Sequence, residues 1–78
     1  MKYTEFREKV RELDGDIIVE MHMNSLCVEI KRKGRLMKMS NDIVGLINTY
    51  TKNMIEHPQK EQLYNLAIEL AATPIFKR

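Results

Sequence analysis

The chain has 78 residues, of which 44% are hydrophobic and 31% are charged, and its formal net charge at pH 7 is +2. This length fits one domain spanning residues 1–78, and the apolar content excludes an intrinsically disordered chain. So small a net charge does not indicate nucleic-acid binding, which would need a local concentration of cations. The single cysteine, Cys27, excludes an intramolecular disulfide framework. The chain also lacks a signal-peptide pattern and any apolar run near the ~20 residues that cross a bilayer, so we expect a cytoplasmic protein with no membrane partner.

The first predicted element is an amphipathic helix from Lys2 to Leu13. Its apolar residues recur at steps of three and four, as one face of a helix requires: Tyr3, Phe6, Val10 and Leu13. The sequence Asp14-Gly15-Asp16 follows, and glycine is favoured just beyond a helix, so the helix is expected to end there.

Beyond this helix the apolar period changes from helical to two, which predicts β-strands. Asn24-Ser25 and Lys33-Gly34 each suit a tight turn between strands. With a two-residue loop at each turn, four cross-strand pairs fall on one sheet face: Met21 with Val28, Val19 with Ile30, Ile30 with Met37, and Val28 with Met39. The two turns were placed independently of this outcome, yet both put the apolar residues on the same face, which predicts an antiparallel β-meander.

The segment from Ile43 to Thr51 fits two alternatives. Its apolar residues can form a helical face, but it is rich in β-branched residues and contains Gly45 and Asn48, which are unfavourable inside helices. We predict a fourth strand over Ile43–Thr49, followed by an irregular or single-turn link through His57.

The last predicted element is a helix that starts at Pro58 and ends before Pro74, with a leucine- and alanine-rich face. The predicted fold class is therefore α+β, with an antiparallel meander of three to four strands flanked by an N-terminal and a C-terminal helix on one face. The predicted core consists of Phe6, Val10, Leu13, Val19, Met21, Val28, Ile30, Met39, Leu63, Leu66 and Leu70.

Candidate catalytic and metal-binding residues are few. The predicted register places His22 beside Cys27, a pair that could act as base and nucleophile or form half of a metal site. Glu20 and Glu29 flank this pair, whereas a reactive thiolate needs electropositive surroundings, and no third ligand is evident. We expect His57 at a helix entrance, with its ring free to solvent. The sequence thus predicts no enzyme, no metal site and no cofactor.

The densest charge lies around the second turn, where the cations are Lys31, Arg32, Lys33, Arg35 and Lys38. On a hairpin, these side chains could contact the phosphates of nucleic acid. The alternative is a solvated turn, in which Glu29 lies opposite Lys38 and the lysines discourage pairing of strand edges. No aromatic residue interleaves the cations to stack bases.

The outer face of the predicted sheet carries the apolar residues Ile18 and Leu36. If both helices cover the opposite face, these two residues are exposed. Exposed apolar residues can mark a partner surface, and a homodimer through this face is a further hypothesis.

Several segments resemble small uncharacterised proteins from phages and prophages of Gram-positive bacteria. The similar segments are the run from Leu63 to Ile75 that precedes Arg78, the opening Tyr3-Thr4-Glu5-Phe6, and more loosely Met37-Lys38-Met39-Ser40 with Ile47-Asn48-Thr49. The resemblance implies a helix, a four-stranded meander and a C-terminal helix, and it carries over no catalytic residue. The present chain differs in being basic around its second turn, where such proteins are often acidic.

The first functional hypothesis is a non-enzymatic phage or prophage accessory protein that binds a host or phage protein. The alternative is nucleic-acid binding through the hairpin from Lys31 to Lys38. The candidate interaction surface comprises Ile18, Lys31, Arg32, Lys33, Arg35, Leu36 and Lys38.

Overall fold

Four antiparallel strands in sequential order form the centre of the fold, and a helix precedes them while two helices follow. The computed structural model describes all residues from Met1 to Arg78. The elements are α1 Tyr3–Leu13, β1 Ile17–Met21, β2 Ser25–Ile30, β3 Gly34–Ser40, β4 Ile47–Asn48, α2 Lys52–Glu56, α3 Lys60–Ala72 and a 3-10 turn at Ile75–Lys77. Helices α1 and α3 pack against each other and on one sheet face, which confirms the predicted α+β class. No helix is long and apolar enough to cross a membrane.

The β1–β2 hairpin has the predicted faces but not the predicted register. Val19 lies opposite Val28, and Met21 lies opposite Leu26. The cause is the turn, which closes one residue earlier than predicted because the His22 N–H donates to the Ser25 carbonyl at 2.8 Å. Each pair thereby moves by two residues, which preserves the alternation of faces. The shift places Met21 at the end of the hairpin, where it is 52% exposed instead of belonging to the core.

The β2–β3 hairpin contains a β-bulge that the sequence did not predict. Val28 lies opposite Met37, whereas Glu29 lies opposite Arg35, so Leu36 is an extra residue in β3. Both Leu36 and Met37 are buried, with exposures of 0% and 1%. A bulge turns two consecutive residues of a strand out of strict alternation, and the prediction that Leu36 is exposed on the outer face is therefore wrong.

The turn before this bulge spans Lys31 to Lys33 rather than two residues. It is closed by the Lys33 N–H, which donates to the Ile30 carbonyl at 3.0 Å. Arg32 and Gly34 have φ angles of 70° and 109°, in the left-handed region that glycine adopts at low cost. Ile30 consequently lies opposite Gly34, not Met37, and Met39 lies opposite Leu26, not Val28.

Strand β4 is much shorter than the predicted strand over Ile43–Thr49, since only Ile47 and Asn48 pair with β3. The preceding residues form a turn at the end of α3, where the Gly45 N–H donates to the Ala71 carbonyl at 2.8 Å. Gly45 has a φ angle of 83° there.

Helix α2 closes the part of the β3 edge that β4 leaves open. Thr51 caps the helix, because its Oγ1 accepts the Met54 N–H at 3.1 Å, and the same hydroxyl donates to the Leu36 carbonyl at 2.7 Å. The Asn53 side-chain amide donates to the carbonyls of Lys33 and Arg35 at 3.1 and 3.2 Å. These side chains satisfy backbone acceptors that would otherwise remain on an open sheet edge.

The core lies between the sheet and the helices and contains 15 buried apolar residues. Most predicted core residues are buried, namely Phe6, Val10, Val19, Val28, Ile30, Met39, Leu63 and Leu70. Leu13 and Leu66 are half-buried against this cluster. The residues that the prediction missed are Ile17, Leu26, Leu36, Met37, Met54, Ala67 and Ala71.

Arg78 ties the last residues to the rest of the fold. Its guanidinium donates to the carbonyls of Ser40 and Ala71 at 2.8 Å each, and its Nε donates to the Thr73 carbonyl at 3.0 Å. Burial lowers the pKa of this guanidinium from its ordinary value. One side chain thus satisfies carbonyls at the end of α3 and at the end of β3.

Candidate interaction surfaces

His57 is the one buried polar residue of the chain, and its ring is fully bonded. Nε2 lies 2.8 Å from Oδ2 of Asp14, and Nδ1 accepts the Gln59 N–H at 3.0 Å. Because Nδ1 is an acceptor, the proton of the neutral ring is on Nε2 and is donated to the carboxylate. This hydrogen bond from His57, helped by the Asp16 N–H, lowers the pKa of Asp14. The prediction of a solvent-exposed His57 is wrong, and the pair serves to join α1 to α3.

Cys27 and His22 do not form the pair that the predicted register suggested. Glu20 lies opposite Cys27, whose side chain is buried, with an exposure of 4% for the residue. His22 is exposed, and its Nε2 lies 3.5 Å from Oε2 of Glu20. No group of three or more His, Cys, Asp or Glu side chains is arranged to hold a metal ion. The observed register therefore separates Cys27 from His22, and burial shields the thiol from solvent.

The basic residues around the second turn are all exposed, and none forms an ion pair: Lys31, Arg32, Lys33, Arg35 and Lys38. The first three occupy the turn itself. The other two lie on the outer sheet face, with Arg35 opposite Glu29 and Lys38 opposite Cys27. The predicted pairing of Glu29 with Lys38 is therefore wrong. Ile18 is exposed on the same face, but the burial of Leu36 removes half of the apolar pair on which the homodimer hypothesis depended.

A larger apolar surface lies elsewhere, in a groove between α2 and α3 that we call the α2–α3 groove. Its volume is about 570 Å³, and its lining residues are Thr49, Tyr50, Met54, Ile55, Lys60, Glu61, Tyr64, Asn65 and Ile68. Met54 is buried, whereas the four other apolar residues are exposed, from 42% for Tyr64 to 86% for Tyr50. A signal for this groove is present in the sequence, since Tyr64 and Ile68 are four residues apart and lie beside the buried stripe of α3.

Three further exposed apolar residues surround Gly45, in the turn that contacts the end of α3: Ile43, Val44 and Leu46. Their exposures range from 50% to 57%. The turn beside the C-terminal end of α3 therefore presents additional apolar side chains.

Comparisons with protein-family models, with curated proteins and with solved structures find no match to this chain.

Proposed function

We propose that this chain is a non-enzymatic accessory protein of the phage or prophage type, which acts in the bacterial cytoplasm by binding a host or phage protein. The observation that carries the proposal is the α2–α3 groove, where Tyr50, Ile55, Tyr64 and Ile68 are all at least 42% exposed. Folded monomers seldom expose several large apolar side chains around one concave surface unless a partner covers it.

The chemistry of the groove fits apolar side chains on a helix of the partner. Tyr50 and Tyr64 each combine a large apolar ring with a hydroxyl, the composition that protein interfaces favour. Lys60 and Glu61 at the rim offer one charge of each sign, which can orient a partner helix without requiring it to be strongly charged. The resemblance to phage and prophage proteins supports a host or phage protein as the source of that helix.

Site-specific photo-crosslinking tests this proposal. A benzophenone amino acid replaces Tyr64 in the groove, and the matched control carries it in place of Phe76, which is 85% exposed and does not line the groove. We expect one protein from infected or lysogenic cells to be linked at position 64 but not at position 76. The added substitution Ile68→Asp, at an exposed site, should abolish that adduct while the far-UV circular dichroism spectrum is retained.

Identical adducts from the two positions, or none from position 64, would rule out the groove as the binding surface. An adduct that survives Ile68→Asp would do the same, because a buried carboxylate without a partner opposes docking of an apolar side chain.

A second candidate function, nucleic-acid binding, is favoured by one observation. Five exposed cations lie within eight residues of the second hairpin, and no carboxylate forms an ion pair with any of them. Contacts of this kind with phosphates release counterions and do not depend on base sequence.

Salt dependence separates this candidate from protein binding. A nucleic-acid binder should lose affinity for a short DNA or RNA duplex steeply as salt rises. The slope should fall by about one when Lys33→Glu or Arg35→Glu takes a cation away from a phosphate. Lys52→Glu is the matched control, since Lys52 is exposed on α2 and outside the hairpin. No shift of either nucleic acid at low salt would eliminate the candidate.

A further inference from the structure

A small cleft beside α1 and the start of β1 gathers three cations. Its volume is about 240 Å³, and its lining residues are Arg7, Arg11, Gly15, Asp16, Ile17, Ile18, Val19 and Lys31. Arg7 and Arg11 are four residues apart on α1, so they are neighbours on one side of that helix. Lys31 comes from the turn that follows β2. Residues that are distant in the chain thus bring positive charge to the same cleft.

The cations of this cleft are not neutralised within the protein. Arg7, Arg11 and Lys31 are all exposed, and none of them forms an ion pair. The one carboxylate among the lining residues is that of Asp16, which is also exposed. Three cations against one carboxylate leave an excess of positive charge, and such an excess attracts a multiply charged anion.

Gly15 adds a backbone donor to the same cleft. Its N–H forms no hydrogen bond within the protein. Its φ angle is not positive, and a Cβ at this position would meet no atom within 4 Å. Neither the sign of φ nor the packing therefore accounts for a glycine here. Close approach of a ligand to the backbone is another role in which a residue without a side chain is favoured.

The size of the cleft limits the ligand to a small molecule. Pockets for drug-sized ligands measure about 300–1,000 Å³, and the volume of this cleft, about 240 Å³, lies below that range. Each molecule of liquid water takes about 30 Å³, so the cleft has room for about eight waters. A phosphate group that carries a short chain of about three carbons occupies a similar space.

We propose that this cleft binds the phosphate monoester of a short polyol. Arg7 and Arg11 donate charge-assisted hydrogen bonds to the phosphate oxygens, because the guanidinium fork matches the geometry of a phosphate. Lys31 adds a third positive charge, and the Gly15 N–H adds a backbone donor. The Asp16 carboxylate accepts a hydrogen bond from a hydroxyl group of the polyol, since an ionised carboxylate can only accept. The cleft shares no residue with the α2–α3 groove, so the inference does not rest on the proposed function.

Nucleic acid is the other source of phosphate, and this cleft disfavours it. A backbone phosphate of nucleic acid is a diester with a single negative charge, whereas a monoester carries a charge of about −1.5 to −2 at pH 7. A diester also has a nucleoside on either side, for which a cleft of about 240 Å³ has no room. The Asp16 carboxylate would repel the next phosphate along the strand. A small molecule with a terminal phosphate therefore fits better.

The test titrates the ¹⁵N-labelled full chain with two probes, glycerol 3-phosphate and n-propyl phosphate. The probes have the same phosphate and the same number of carbons, and only the first carries hydroxyl groups. We expect both probes to shift the amide resonances of Gly15 and Lys31, while those of Tyr64 and Ile68 in the groove stay in place. Glycerol 3-phosphate should bind more tightly than n-propyl phosphate, because only its hydroxyl groups can donate to Asp16.

Two double variants test the role of the arginines. Arg7→Gln/Arg11→Gln should weaken the binding of both probes by about tenfold or more, because the charge-assisted hydrogen bonds to phosphate are lost. Lys52→Gln/Lys77→Gln is the matched control, since it makes the same change in net charge outside the cleft and should bind both probes normally. All four substituted positions are exposed, so both variants should keep the fold.

The single variant Asp16→Ala should have opposite effects on the two probes. It should weaken glycerol 3-phosphate by about fivefold or more, because the acceptor for its hydroxyl group is removed. It should tighten n-propyl phosphate, because a negative charge near the phosphate is removed. A merely structural role of Asp16 would change the affinity for both probes in the same direction.

Several results would overturn the proposal. One is the absence of a shift at Gly15 with glycerol 3-phosphate at tens of millimolar, and another is an equal loss of binding in the two double variants. A change in the same direction for both probes in Asp16→Ala would also overturn it. So would a DNA duplex without terminal phosphates that shifts the same amides at lower concentration, because the cleft would then belong to a nucleic-acid surface. None of these results bears on crosslinking at position 64.

Discussion

The buried ring of His57 holds the end of α1 against the start of α3. Asp14 is the C-cap residue of α1, and Gln59, whose N–H donates to Nδ1, is the N-cap residue of α3. The partners Asp14 and His57 are 43 positions apart, and no short-range pattern in the sequence links them. Only the packing of the two helices brings them together, which explains why the ring was predicted to be exposed.

Removal of this carboxylate gives a prediction with a defined pH dependence. Asp14→Asn is expected to lower the free energy of unfolding at pH 7 by about 1–3 kcal/mol, because a charge-assisted hydrogen bond disappears. Folding lowers the pKa of Asp14, so the ionised carboxylate stabilises the fold above its unfolded pKa, and this contribution is lost as pH falls through the folded pKa. Urea unfolding across pH measures the difference in free energy of unfolding between wild type and Asp14→Asn. This difference should have its full size at pH 7 and should shrink below about pH 4.

Asp16→Asn is the control for this measurement. Asp16 is exposed and its side chain makes no hydrogen bond, so this variant should stay within about 0.5 kcal/mol of wild type. A pH-independent effect of Asp14→Asn would assign its cost to packing and not to the charge.

At the scale of the elements, the sequence predicts which strand residues face the core. It does not predict which residues lie opposite each other in neighbouring strands. The inward set containing Val19, Val28, Ile30 and Met39 follows from the apolar pattern alone, because side chains alternate strictly along a strand. The register depends on where a turn closes, and a shift of the first turn by one residue preserves every face. The pattern therefore cannot distinguish Val19 opposite Val28 from Val19 opposite Ile30.

The β-bulge in β3 could not be predicted from the apolar pattern. Strict alternation from Met37 and Met39 places Leu36 on the outer face, and nothing in the amino-acid types around it signals an extra residue. Helix α2 supports the irregularity from outside, because the Thr51 hydroxyl donates to the Leu36 carbonyl at 2.7 Å. The short β4 was also missed, since Ile43–Leu46 are apolar yet form an exposed turn.

Leu36 and Ile18 provide a matched pair that tests the bulge. Both were predicted to lie on the outer face, but Leu36 is 0% exposed and Ile18 is 40% exposed. Leu36→Ala should lower the free energy of unfolding by about 2–5 kcal/mol, whereas Ile18→Ala should cost about 1 kcal/mol or less. Denaturant unfolding at neutral pH measures both. Similar small effects of the two substitutions would mean that Leu36 faces solvent.

On the scale of the whole molecule, the two outer strands of the sheet are protected in different ways. On one side, α2 covers the β3 edge and forms a wall of the apolar α2–α3 groove. On the other side, Ile17 and Val19 of β1 are only 1% and 6% exposed, beside a cleft that Arg7 and Arg11 help to line. The sequence indicated the basic hairpin because its cations are close together in the chain. Its one sign of the groove is the four-residue spacing of Tyr64 and Ile68 beside the buried stripe of α3, because the part that α2 and Tyr50 play depends on how the chain folds.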